Sequence, residues 1–349
     1  MAENKDKDLA MEMAEDARQA DWKFPSFTAE MFKGEFRWDL MHPFPEQDPE
    51  DKRIGDEYME KVKKVLEEHV DPYVIDQTGE YPREALKALA DIGIFGMKIP
   101  KEYGGLGFSV TNYARVLGLV GSYCASTVTY LSAHQRIGVP QPLKEFGTEE
   151  QKKKYLPRLA KGEISAFALT EPDVGSDPAK MTTIATPSAD GSYYTLNGDK
   201  LWTTNGSDDL TTLFVILAKT PDKVLPSGKK IPQISAFVLD TKDPSLKVYE
   251  NSDGEEDGFH RARGCRFMGM RGIANAALVL KNIKVPAESL IGKPGQGLKI
   301  ALSTLNIGRL GLPAAGIGSV KAYIDECQQW TSTRVQWGVP VGKRLRAMQ

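Results

Sequence analysis

The sequence predicts a multidomain α+β chain with an N-terminal α-helical domain, a central antiparallel β-barrel-like domain and part of a C-terminal α-helical bundle. Three observations carry this expectation. Apolar side chains recur at helical spacing through residues 51–164, short β-prone runs parted by turn residues fill 165–286, and the helical period returns over 287–349. The length of 349 residues exceeds one compact core and suits about two to three domains.

Residues 1–50 read as an arm. They hold 13 acidic and 6 basic side chains, a net of −7, and Trp22, Phe24, Phe27, Phe32, Phe36 and Trp38 follow the acidic start, so this segment is expected to pack on another surface. From Lys52 to Pro72, Ile54, Tyr58, Val62, Val65, Leu66 and Val70 follow helical spacing, and Pro82 opens a second helix through Ala85, Leu86 and Leu89. Val116 to Gln135 holds no Asp, Glu, Lys or Arg over 20 positions, a length that could span a bilayer. Its Ser, Thr and Tyr residues, His134 and Gln135 predict a buried helix pair instead. Thr148-Glu149-Glu150-Gln151 has capping-box spacing and starts the next helix.

The pattern changes near Ser165. Asn197-Gly198 lies between two β-prone runs, which predicts a hairpin turn, and TTLFVILAKT, ISAFVLD, SLKVYE and NAALVLKNIKV follow as short strands. After IGKPGQG, Leu298, Ala301, Leu302 and Leu305 restore the helical period, and VKAYIDECQQWTSTR continues it in a second helix. Two helices cannot bury both of their apolar faces by themselves. The sequence reaches Arg346-Ala347-Met348-Gln349 without a helix stop signal, so the third domain is expected to be incomplete within it.

Composition narrows the function. Hydrophobic residues are 41% and charged residues 26%, and 45 Lys plus Arg against 47 Asp plus Glu give −2 at pH 7. A packed soluble protein without a basic field for nucleic acid is expected. Cys124, Cys265 and Cys327 and the four scattered histidines suggest neither a disulfide framework nor a metal site. The charged N-terminus has no apolar signal core, so the expected setting is cytoplasmic. No GxGxxG, GxxxxGK[ST] or GxSxG occurs, which removes the Rossmann, P-loop and serine-hydrolase readings.

Two segments stand out: Ala168-Leu169-Thr170-Glu171-Pro172-Asp173-Val174-Gly175-Ser176-Asp177, and Leu196-Asn197-Gly198-Asp199-Lys200-Leu201-Trp202-Thr203-Thr204-Asn205-Gly206. They closely resemble the signatures of the acyl-CoA dehydrogenase flavoproteins. Further resemblance lies in Met268-Gly269-Met270-Arg271-Gly272, Val285-Pro286 with Leu290-Ile291-Gly292, Gly295-Gln296-Gly297 and Arg334-Val335-Gln336-Trp337-Gly338, so that it covers about residues 50–349. The arm and the helix ending Asn306-Ile307-Gly308-Arg309 are most similar to the long- and very-long-chain branch.

The resemblance implies a non-covalent FAD between the β-domain and the C-terminal helices. It places Phe167, Ala168, Leu169, Thr170, Gly175 and Ser176 along the flavin, where amides and the Thr170 hydroxyl bond the ring oxygens. Trp202 becomes a wall for the ring and Thr203 its neighbour. Thr204, two residues beyond Trp202 and therefore on the same strand face, becomes a donor to flavin N5. Arg334, Gln336 and Trp337 match positions that reach the FAD pyrophosphate of a neighbouring subunit, which implies a homodimer or homotetramer. Ser176, Asn306 and Arg309 fall where relatives contact CoA.

The implied reaction is α,β-dehydrogenation of an acyl-CoA thioester in fatty acid metabolism, with electrons passed to electron transfer flavoprotein. The family's catalytic glutamate usually lies well beyond the segment matched by 334–338, and the sequence continues only 11 residues past Gly338. A minority of relatives place it where Gly308 stands. The base is therefore expected outside this chain, in missing sequence or a companion polypeptide. An acyl-CoA oxidase or flavin monooxygenase on the same fold, and a non-catalytic scaffold, are the alternatives.

Overall fold

The computed structural model describes residues 25–345 except 229, 253, 263 and 310. Trp22, Phe24 and Arg346 to Gln349 lie outside the described residues. The arm begins with α1 (Phe27–Phe32), capped by the Ser26 side chain, and buries none of its residues. Its rings pack on one another, Phe27 on Phe36, Phe36 on Trp38, Trp38 on His42 and His42 on Phe44, while Phe32 stays 89% exposed. Within the described residues the aromatic arm therefore packs mainly upon itself.

Helices and short helical turns form the first body. α2 (Pro49–His69) starts at Asp48, whose carboxylate accepts from the Glu50 and Asp51 amides, and turns Tyr58, Val62 and Leu66 inward. α3 (Pro72–Thr78) ends at Gly79, where φ of 74° suits glycine. α4 (Arg83–Asp91) buries Ala85, Leu86 and Leu89. The uncharged stretch does form a helix pair, α5 (Val110–Tyr123) and α6 (Ala125–Ser132), broken where Cys124 turns extended. A π-helical turn (Ala133–Ile137) follows, then α7 (Pro140–Phe146) and α8 (Glu149–Ala160). Thr148 and Gln151 close the expected capping box on α8.

The middle body is a sheet of β1 (Ile164–Ala168), β2 (Ile184–Pro187), β3 (Tyr193–Thr203), β4 (Thr211–Val224), β5 (Lys230–Asp240), β6 (Val248–Glu250), β7 (Gly258–Arg261), β8 (Ala276–Pro286) and β9 (Leu290–Ile291). Its order is β6-β7-β8-β3-β2-β4-β5-β9, with β1 beside β4. The long ladders β3–β8 and β4–β5 are antiparallel as expected, but β1–β4, β2–β4 and β6–β7 are parallel, so the sheet is mixed and its order is open. β4 is the spine. Leu213, Val215 and Leu217 face a core with Leu156, Leu159 and Ile300, while Phe214, Ile216 and Ala218 face Phe237, Phe259 and Leu278. Burial on both faces is why this run reads as continuously apolar.

The expected hairpin at Asn197-Gly198 is not formed. Both residues lie inside β3, where the register to β8 shifts between Leu196 and Gly198. Gly198 has φ of 145°, and a Cβ there would meet the Thr183 backbone at 2.6 Å, so the glycine serves a bulge and a close approach.

Two helices, α9 (Gly297–Arg309) and α10 (Gly311–Thr333), return to the first body. α10 lies against α5 along a seam of small residues. A Cβ at Gly121 would stand 2.8 Å from the Ala315 carbonyl oxygen, one at Gly318 would collide with the Gly118 carbonyl, and Ser319 donates to the Gly121 carbonyl at 2.8 Å. The outer face of α10 leaves Leu312, Ile317, Val320, Tyr323 and Trp330 exposed. A hairpin of β10 (Val335–Gln336) and β11 (Val339–Pro340) turns at Trp337 and Gly338, with φ of 52° and 78°, and leads into α11 (Val341–Leu345).

Candidate functional site

Residues 167–176 and 200–205 converge because a buried ion pair straps them. β1 delivers the chain to Thr170, whose carbonyl accepts from the Leu201 amide at 2.9 Å, and Glu171 and Val174 exchange backbone hydrogen bonds at 3.0 and 3.1 Å. Beneath this turn Glu171 and Lys200, both buried, meet at 2.8 Å. The other carboxylate contacts are the Thr182 amide and hydroxyl at 2.5 and 2.7 Å and the Thr183 amide at 3.0 Å. Burial opposes ionisation of Glu171, but Lys200 and these donors outweigh it and hold the carboxyl at about 2, against an ordinary 4.5. An ionised carboxylate saturated by donors is a structural strut, not a proton acceptor.

This gives a pH expectation. A carboxyl whose folded pKa is depressed contributes stability that is complete above about 4.5 and is lost as pH falls toward about 2. Glu171→Gln should therefore flatten the acid limb of stability over that window, read from denaturant melts at several pH values. An unchanged slope would contradict the assignment.

The turn keeps its outer edge open. Gly175 and Ser176 are exposed, nothing lies within 4 Å of a Cβ placed on Gly175, and the amides of Thr170, Gly175 and Ser176 donate to no carbonyl among the described residues. The Thr170 hydroxyl is likewise unspent. Phe167 and Leu169 are partly buried against the core below the sheet, and Ala168 is buried on the opposite side.

Beyond Lys200 the strand departs from the expected alternation. Trp202 has φ of 57° and the ladder to β8 shifts between Lys200 and Thr203, while Thr204 already belongs to a turn. A shared strand face for Trp202 and Thr204 is thus excluded by the backbone. Trp202 stands 55% exposed beside Phe267, their ring centres 6.3 Å apart. Thr203 is buried and its hydroxyl has no hydrogen-bond partner among the described residues. The Thr204 hydroxyl accepts from Asn275 Nδ2 at 3.4 Å, which leaves its proton free to donate elsewhere. Asn205, with φ of 65°, donates to the carbonyls of Tyr130 and Ser165 and fixes the turn to α6 and β1.

Thr204 opens onto a cavity of about 390 Å³ formed with α6, the π-helical turn, α9 and α10. Its lining includes Val128, Ile137, Leu305, Gly308 and Leu312, and among the described lining residues none is Asp or Glu. A Cβ on the buried Gly308 would sit 3.1 Å from Ile137 Cγ2. Arg309 lines the same cavity at its exposed edge and donates to Asn306 Oδ1 at 2.7 Å, so these two residues form one polar unit.

Arg334, Gln336 and Trp337 stand elsewhere. Arg334 stacks on Trp330 at 5.8 Å, Gln336 donates to the neighbouring Val335 carbonyl, and Trp337 is 77% exposed at the hairpin tip. The hairpin packs on α10 and α11, and these three residues are not among the described residues that line the cavity.

Sequence reasoning missed several supporting groups. Asp208 gathers the Tyr130 hydroxyl and Arg83, with Arg261 donating to its carbonyl at 2.6 Å. His134, which burial lowers to about 4, is neutral at pH 7; its Nδ1 accepts from the Ser165 amide at 3.0 Å, so Nε2 carries the proton donated to the Phe95 carbonyl. These contacts join residues dozens of positions apart, and no local pattern announces them.

Models described as the N-terminal, middle and C-terminal domains of acyl-CoA dehydrogenase match residues 53–163, 166–283 and 295–345. Over 337 residues the chain is 45% identical to a Mycobacterium tuberculosis protein named "Probable acyl-CoA dehydrogenase FadE10", covering 97% of this chain and 49% of that protein. It is 37% identical over 315 residues to the very long-chain specific acyl-CoA dehydrogenase of Homo sapiens mitochondria, covering 90% and 46%. Among solved structures, butyryl-CoA dehydrogenase from Megasphaera elsdenii superposes with a TM-score of 0.74 at 32% identity, over 87% of this chain and 74% of that one. An acyl-CoA dehydrogenase from Bacillus anthracis complexed with FAD gives 0.68 at 31%, over 85% and 47%. The chain spans about half the length of the curated relatives it matches. With an unspent amide edge, an exposed indole and an adjoining apolar cavity set in this α–β–α order, the chain belongs to the acyl-CoA dehydrogenase family.

Proposed function

We propose that this chain is the flavin- and acyl-binding part of an FAD-dependent acyl-CoA dehydrogenase. One observation carries the reading: the amides of Thr170, Gly175 and Ser176, which donate to no carbonyl among the described residues, the Thr203 hydroxyl, which has no partner among them, and the exposed Trp202 ring border the segment that leads into the Thr204 cavity. Such a donor edge beside an aromatic wall fits a flavin. When bound, FAD supplies the two-electron acceptor for α,β-desaturation of an acyl thioester.

The protein's own part is positioning. Trp202 offers its face, and the amides from 170 to 176 lie ready for ring oxygens that gain negative charge. Asn275 donates to the Thr204 oxygen and so leaves the hydroxyl proton free at the cavity mouth, where it would be available to flavin N5. Ser176, Asn306 and Arg309 would hold the CoA portion, with the guanidinium at the exposed rim suited to phosphate. Arg334, Gln336 and Trp337 would serve the FAD of a second copy, in a homodimer or homotetramer. The described cavity lining includes no Asp or Glu, so in this reading the proton acceptor comes from elsewhere, either a further segment or a companion polypeptide. Electron transfer flavoprotein is the proposed electron acceptor and the cytoplasm the proposed setting.

Anaerobic mixing of the FAD-loaded protein with an acyl-CoA panel, in the presence of the segment or polypeptide that supplies the proton acceptor, tests this, and bleaching of the flavin absorbance supports it. Thr204→Val should retain FAD while slowing bleaching by roughly tenfold or more. Protein that stays colourless after FAD addition would overturn the reading, and rapid reoxidation by air would transfer it to the oxidase class.

A further inference from the structure

Met268-Gly269-Met270-Arg271-Gly272 lies in the loop 264–275 between β7 and β8, and that loop reaches both Trp202 and Thr204. Phe267 sits beside Trp202, with ring centres 6.3 Å apart and planes tilted by 41°, within the range where aromatic pairs attract. Asn275, only 4% exposed, donates through Nδ2 to the Thr204 hydroxyl oxygen at 3.4 Å. Its Oδ1 is buried without a partner among the described residues. Native interiors seldom leave a buried acceptor bare, and here that cost accompanies a donor turned to Thr204.

The backbone makes the loop one folded unit. The Cys265 amide donates to the Asn275 carbonyl at 2.8 Å, the Asn275 amide to the Ile273 carbonyl at 2.9 Å and the Ile273 amide to the Met270 carbonyl at 3.2 Å. Met270 has φ of 50°, a conformation that strains a non-glycine residue and persists where the surroundings fix it. The far side of the unit is seated on the helical body. Gly272 is buried, and a Cβ there would stand 2.3 Å from Ile75 Cγ2 on α3 and 3.4 Å from Ser126 on α6. Thr129, on α6 in the wall of the Thr204 cavity, donates to the Met270 sulfur at 3.4 Å.

We propose that the loop 264–275 is the positioning element of the flavin site, with Asn275 the positioning residue for Thr204 and Phe267 the positioning residue for Trp202. This rests on the flavin reading of Thr204 and Trp202. A threonine hydroxyl left to itself turns to nearby backbone carbonyls. A donor on its oxygen occupies one lone pair and leaves the proton for another acceptor. The ring of Phe267 limits the tilt of Trp202 in the same way, by filling one side of it. Because both supports ride on one unit seated against α3 and α6, the helical body sets the placement of both groups.

The test uses the FAD-loaded chain and reads the flavin midpoint potential and the FAD dissociation constant, neither of which needs a proton acceptor for substrate. Asn275→Leu keeps the side-chain volume and removes the donor. It should shift the potential in the same direction as Thr204→Val and by a smaller amount, because the hydroxyl remains but loses its orientation. In a Thr204→Val background it should add no further shift, whereas a residue that only fills space would act equally in both backgrounds. Phe267→Ala should weaken FAD binding roughly two- to tenfold, and that loss should vanish in a Trp202→Ala background. If Asn275→Leu fails to fold, the Phe267 and Trp202 cycle decides. An unchanged potential in Asn275→Leu, or additive effects in the deciding cycle, would overturn the proposal while leaving the flavin reading intact. A chain that retains no FAD, or a Thr204→Val variant with the wild-type potential, removes the reading on which the proposal rests and the proposal with it.

Discussion

Lys200→Met should lower the unfolding free energy by about 3–5 kcal/mol, because it leaves the buried Glu171 carboxylate without its counter-charge. The two side chains are almost fully buried and meet at 2.8 Å, with Lys200 also donating to the Leu169 carbonyl at 3.3 Å. Coulomb attraction in this interior barely offsets the cost of removing both ions from water, but losing one partner leaves that cost uncompensated. Guanidinium denaturation at neutral pH would measure the loss. The double variant Glu171→Leu with Lys200→Met should regain most of it, since a well-packed apolar pair avoids desolvation altogether. If the two substitutions simply add, the strap is not a coupled pair. The same single variant should weaken FAD retention, because the pair fastens the 167–176 turn to the strand that carries Trp202.

Gly318→Val should be about as damaging. Its Cβ would strike the Gly118 carbonyl, and both backbones belong to long helices that cannot yield locally as a side chain could. Overpacking of this kind costs about 1–3 kcal/mol or more, and here relief comes only by lifting α10 from α5. The expected signs are a lower melting temperature and new protease cleavage within 311–333. Gly316 supplies the control: nothing lies within 4 Å of its Cβ, so Gly316→Ala should be neutral or mildly stabilising. A Gly318→Val chain that melts with the wild type and resists protease would refute close packing at the seam.

What the sequence made legible was local. The capping box at Thr148 and Gln151, the helical face of Tyr58, Val62 and Leu66, and the uncharged helix pair each follow from spacing over a few residues. The parallel pairing of β1 with β4 joins residues about fifty apart and leaves no short-range trace. Asn197-Gly198 carries the composition of a turn, yet its glycine is used for the approach of Thr183, a demand set by another strand. At the site, the motifs brought Thr170, Gly175, Trp202 and Thr204 into view. Alternation then misjudged how Trp202 and Thr204 face each other, because φ of 57° at Trp202 is invisible to a period-two pattern. Arg136 was hidden for a different reason. A single arginine after an uncharged stretch reads as a solvated end, and only burial between α5, α9 and α10 shows otherwise.

The glycine seam between α5 and α10 also limits how this cavity could be retuned. Where peptide backbones touch, the gap between the two helices is already at its minimum, and shortening side chains there cannot widen it. Since Ala315 on the cavity side of α10 is anchored by that contact, the cavity's girth there is set by main-chain geometry. Its depth is not, for Val128, Ser132 and Arg136 enter it as side chains. Substitutions that shift ligand preference should therefore cluster along α6 and the π-helical turn and change acceptable length and polarity, while tolerance for branching stays fixed.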